Sequence, residues 1–115
     1  MPPREWRLRV EDILEAIARI ERYTHGFTFE QFQADQKTVD AVIRNLEVIG
    51  EAVGHLSARR DSLSNDIPWT DIAGMRNVLI HAYFGVDLKI IWQTIVEDLP
   101  VLRVELQKLA PLDEA

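Results

Sequence analysis

Between Asp35 and Arg59, the residues Val39, Val42, Leu46, Ile49, Val53 and Leu56 recur at alternating steps of three and four. Apolar side chains at that spacing line one face of a helix, whereas a strand would alternate its faces at every second residue. A seam kept up over that distance resembles a coiled-coil or bundle helix, roughly 36 Å long at ~1.5 Å per residue. Such a face needs partners along its whole length, so the rest of the chain is expected to supply further helices.

It does. From Arg4 to about Thr24, Trp6, Val10, Ile13, Leu14, Ile17 and Ile20 keep helical spacing, with Glu11, Asp12, Glu15, Arg19, Glu21 and Arg22 between them. His25-Gly26 then stops the helix, because glycine adopts the left-handed geometry common at helix ends. Phe27, Phe29 and Phe32 follow in a short connector that reads as an aromatic plug for the end of a bundle. After the polar loop around Ser62, Ser64, Asn65 and Asp66, Pro68-Trp69 opens a helix expected to reach about Tyr83, and Gly85 ends it. Asp87 is a plausible cap for a last helix carrying Leu88, Ile91, Trp92, Ile95 and Leu99. Pro100 should kink or restart that helix, whose stripe continues through Leu102, Leu106 and Leu109 to Pro111. No segment alternates as a strand does. The expected fold is all-α, a small up-and-down bundle of four to five helices forming one domain over residues 1–115.

Composition narrows the function. Of the 115 residues, 47% are hydrophobic and 28% charged, which argues against a disordered tail and against a bilayer span. With 13 Lys+Arg against 19 Asp+Glu the formal charge is −6, so any contact with nucleic acid must be local. Ten of the thirteen basic residues are arginines, which suits local phosphate recognition. The absence of cysteine removes disulfides, thiolate zinc sites and cysteine nucleophiles. The opening Met-Pro-Pro-Arg-Glu-Trp carries charge where a secretory signal needs an apolar run, and the expected location is the cytoplasm.

One segment carries chemistry. On a helical wheel of the Pro68–Tyr83 helix, Ile72, Met75, Val78, Leu79 and Ala82 form the core arc. Arg76, Asn77, His81 and Tyr83 fall outside it, with Ile80 among them. An isoleucine and a tyrosine ring on a polar arc imply that another surface covers it, and self-association would bring two copies of Arg76 and His81 toward one cleft. Histidine titrates near neutrality and can move a proton to or from a ribose 2′-hydroxyl or a leaving oxygen. Arginine offers a planar fork of donors to a phosphate whose charge grows in the transition state. Asn77 can orient the His81 ring or bind substrate, and Tyr83 can stack on a base or donate to phosphate. The plainer alternative stays open on spacing alone: His81 caps a helix C-terminus and Arg76 pairs with a surface carboxylate.

The order Arg76, four intervening positions, His81, one position, Tyr83 resembles the Arg-x4-His-x-Tyr signature of the HEPN superfamily, and specifically the HepT-like toxins of MNT/HEPN toxin–antitoxin pairs. Ile43-Arg44-Asn45-Leu46-Glu47, Ile49-Gly50-Glu51-Ala52, Ile67-Pro68-Trp69, Gly74-Met75-Arg76-Asn77 and Asp98-Leu99-Pro100 resemble further segments of that family. The resemblance implies an all-α homodimer acting as a metal-independent endoribonuclease without a cofactor, with Arg76 and His81 as the catalytic pair and Asn77 in support. It also implies a type II or VII toxin–antitoxin pair, in which an MNT-type nucleotidyltransferase antitoxin silences the toxin by placing AMP on Tyr83. The rival from another class is a non-catalytic dimeric subunit whose cleft holds a nucleotide or docks the transferase.

Other features read as structural. Glu51 and His55 stand one helical turn apart, but no third ligand accompanies them and no HExxH pattern occurs. Gly50 and Gly54, also a turn apart, each cost about 1 kcal/mol in a helix interior, which points to close approach of another helix, with two tolerated surface glycines as the plainer alternative. His25 reads as a helix-end residue, and Arg4, Arg7 and Arg9 as a solvated basic terminus.

Overall fold

The computed structural model describes the backbone of residues 4–56 and 87–114, and side chains over 7–55 and 87–108. These residues form an all-α bundle: α1 (Arg4–Thr24), α2 (Phe29–Ala34), α3 (Gln36–Leu56), α4 (Leu88–Gln93), a π-helical turn (Thr94–Asp98) and α5 (Leu99–Glu114). Among the described residues there is no strand and no helix long and apolar enough to cross a membrane. The expected third helix lies within 57–86, outside the described residues.

The amphipathic stripes meet as their spacing requires. Along α1, Val10, Ile13, Ala16, Ile17 and Ile20 are buried, and they face Val39, Val42, Leu46, Ile49, Ala52 and Val53 of α3 in one core. Ile91, Ile95, Leu99, Leu102 and Leu106 close the core from the last helical run, with α5 packed on α1. Arg103 of α5 also reaches across to Glu21 of α1 in an ion pair at the rim. The C-terminal end of α1 obeys local chemistry. Thr24 turns its hydroxyl back to the Ile20 carbonyl at 2.8 Å, and Gly26, at φ +77°, takes the left-handed step that ends the helix.

The aromatic connector is itself helical. Thr28 accepts from the Gln31 N–H at 3.1 Å, while the Gln31 side chain accepts from the Thr28 N–H at 2.8 Å, a reciprocal capping box. That pattern, Thr-x-x-Gln, nucleates the six-residue α2 where the apolar spacing alone suggests only a loop. Phe32 is fully buried and Trp92 of α4 lies against it, with ring centroids 5.2 Å apart; Phe29 lies 6.4 Å from the same indole. The plug at the bundle end is therefore a ring cluster shared between α2 and α4.

Asp87 caps α4 as its residue type suggests, its carboxylate accepting from the Lys89 N–H at 2.9 Å. Pro100 acts one turn earlier than a simple kink. A proline ring crowds the carbonyl four residues back and has no N–H to give it, and the helix responds by widening. The Leu99 N–H bonds to the Thr94 carbonyl, five residues behind, and the run then continues as α5. At the other end, α5 passes Pro111 and reaches Glu114, three residues beyond the expected stop. Only the carbonyl of Gln107 loses a partner to that proline, a small cost in a terminal turn.

Candidate functional site

Arg76, Asn77, His81 and Tyr83 lie in 57–86, outside the described residues, so their mutual geometry rests on sequence. What the structure places is the frame around them. The α3 helix leads into that segment at Leu56, and Asp87 receives the chain four residues after Tyr83 in an extended conformation, φ −84° and ψ 108°. Both anchors are tied to the common core, through Val53 on one side and Ile91 on the other.

The described surroundings offer few rival sites. Glu51 and His55 are both exposed on α3, and among the described residues no group of three or more His, Asp or Glu could hold a metal ion. The buried polar residues Thr24, Asn45 and Thr94 each bond a carbonyl one turn back in their own helix; Asn45 donates through Nδ2 to Ala41 at 2.9 Å, and Thr94 to Ile90 at 2.9 Å. Among the described residues these hydrogen bonds are local, and none joins another into a buried polar cluster. Asn45 is the one that hydropathy spacing misses. It stands at 7% exposure on the α3 face, and the only sequence signal for it is its place in Ile43-Arg44-Asn45-Leu46-Glu47.

Two expectations change. Gly54 is exposed, and a Cβ built there meets no heavy atom within 4 Å, so close approach does not explain this glycine; Gly50, a turn earlier, is buried. Arg7 and Arg9 are half-buried and each is engaged in an interaction, so they are not a solvated fringe. His25 is exposed at the helix end, as its neighbour Gly26 suggests.

Comparison with known proteins decides the family. The model of the HepT-like family, described as "Ribonuclease HepT-like", matches residues 13–109. The chain belongs to the HepT-like ribonuclease family. The matched span runs from the middle of α1 into α5 and includes Arg76, Asn77, His81 and Tyr83. A protein of Thermococcus cleftensis named "Probable ribonuclease HepT" is 49% identical over 100 residues, covering 87% of this chain and 91% of its own length. A Methanocaldococcus jannaschii protein named as a "Putative RNase" is 42% identical over 100 residues, covering 87% of this chain and 83% of its own. A second protein of that organism, named "Gamma-glutamylcyclotransferase and putative RNase", is 41% identical over 103 residues, which are 90% of this chain but 46% of that longer protein. No solved structure matches. The HepT-like bundle thus occurs both at about this length and as part of a larger chain.

Proposed function

We propose that this HepT-like protein is a metal-independent endoribonuclease in which His81 moves the proton and Arg76 binds the phosphate whose charge rises in the transition state. The observation that carries the reading is the ordered set Arg76, His81 and Tyr83 inside the family-matched span. Attack of a ribose 2′-hydroxyl on the adjacent phosphorus needs a base for that hydroxyl and an acid for the departing 5′-oxygen, and imidazole serves either role near neutral pH. The arginine fork offsets charge on the non-bridging oxygens. Asn77, one turn before His81, holds the ring or the substrate. A homodimer that covers Ile80 and Tyr83 brings two such sets to one cleft, and the protein works in the cytoplasm.

The same reading extends to control. A cognate MNT-type nucleotidyltransferase, acting as antitoxin, transfers AMP from ATP to the Tyr83 hydroxyl, the new O–P bond replacing the bond to the departing pyrophosphate. The added phosphate places an anion and a nucleoside beside Arg76, where they compete with RNA for the guanidinium. Expression with and without the transferase, followed by intact mass, tests it: mass added in multiples of AMP, mapped to Tyr83, is the expected result. Unmodified protein from both cultures rejects the control step. The acidic net charge of −6 suits a partner-docking subunit better than a nuclease, so a nuclease assay on the unmodified protein separates the two. Cleavage by the wild type and none by Arg76→Ala or His81→Ala supports the enzyme.

A further inference from the structure

The outer face of the last helix carries a self-complementary pattern. Glu97 of the π-helical turn and Val101, Val104 and Lys108 of α5, which continues it, follow one another at steps of four, three and four, and all four are exposed. Residues at that spacing share one narrow helical face, the geometry of a coiled-coil seam. The two valines stand at 41% and 46% exposure at its centre, with opposite charges at its two ends. Lys108 also pairs with Glu105 of its own helix at 3.1 Å.

The pattern has a symmetry that selects its occupant. Its midpoint falls between Leu102 and Arg103. A two-fold axis there, relating two antiparallel copies, sets Val101 against Val104 of the second copy and Glu97 against its Lys108, twice over. A parallel pair would instead oppose Glu97 to Glu97 and Lys108 to Lys108. We infer that the Glu97–Lys108 face of the last helix is a contact with a second copy of this chain, made antiparallel about that midpoint. The contact is isologous, so one patch serves both sides and closes on itself. Four side chains per copy fall short of a standard interface of about 800 Å² per partner, which makes it a weak, reversible contact, separate from the dimer cleft proposed for Arg76 and His81. It is independent of the ribonuclease reading and uses residues outside the Arg76–Tyr83 arc.

The absence of native cysteine permits a direct test. Val101→Cys and Val104→Cys variants of the full chain, distinguished by a mass tag, are oxidised alone and as an equal mixture. The mixed disulfide is expected to outweigh the sum of the two self-disulfides, because 101 opposes 104 and not itself. Glu97→Lys should weaken the association on the order of threefold to tenfold by sedimentation, since it sets like charges at both ends. Adding Lys108→Glu to that variant should restore it. Statistical disulfide yields, or an association indifferent to the single charge reversal, overturn the inference; so does a double reversal that fails to rescue.

Discussion

Phe32→Ala is the substitution whose cost the structure defines best. The ring is fully buried, touches the Trp92 indole at a centroid distance of 5.2 Å, and anchors a helix of six residues. Removing a buried phenylalanine ring costs about 3–5 kcal/mol, through lost transfer energy and the cavity left behind. Small domains have only ~5–15 kcal/mol in total, so roughly a fifth or more of the stability is at stake. With a urea m-value of ~2 kcal/mol/M, the unfolding midpoint should fall by about 2 M. Helix α2 lies far below the ~12–15 residues at which an isolated helix persists, so amide exchange over Phe29–Ala34 should rise before the rest of the bundle opens. A double-mutant cycle with Trp92→Ala should return about 0.5–1.5 kcal/mol of coupling. A loss below about 1 kcal/mol with no coupling would show that the ring cluster does not hold the bundle end together.

Asp87→Ala removes the cap at which the chain re-enters helix after the motif segment, and should cost ~1 kcal/mol by urea titration. Gly54→Ala should raise the melting temperature, by up to about 1 kcal/mol of stability, because the added methyl meets open space; a destabilised variant would restore the close-approach reading. Arg103→Ala should lower stability by less than about 1 kcal/mol, since both partners of its ion pair with Glu21 keep more than a third of their surface in water.

Much of the frame was legible from spacing. The stripe of α1 and the seam of α3 place Val10, Ile13, Ile17, Ile20, Val42, Leu46 and Ile49 in the core because burial of a helix face leaves a period of 3.6 in the sequence. The Asp87 cap was legible too, since a short carboxylate before an apolar run has one favourable use. Helix α2 was not read as a helix: six residues are too few for a period to show, and its signal is the Thr28–Gln31 capping pair. The π-helical turn at Thr94–Asp98 was also out of reach in detail, because a proline announces a disturbance but not how the preceding turn absorbs it. Gly54 misled because a helix glycine signals either close packing or tolerance at the surface, and only the surroundings decide between them. For the site the balance is reversed. Its residue types and order come from the sequence, and the described structure contributes the two anchored ends of the segment that holds them.

The most direct measurement is the rate at which the purified, unmodified protein cleaves a single-stranded RNA, compared with His81→Ala. Circular dichroism of both should coincide, since the substitution leaves the apolar stripes of the described bundle unchanged. Loss of the proton-transferring imidazole should slow cleavage by ~10²–10⁴-fold. Equal rates in the two proteins, with metal removed by chelation, would contradict the assignment of His81 and the mechanism built on it.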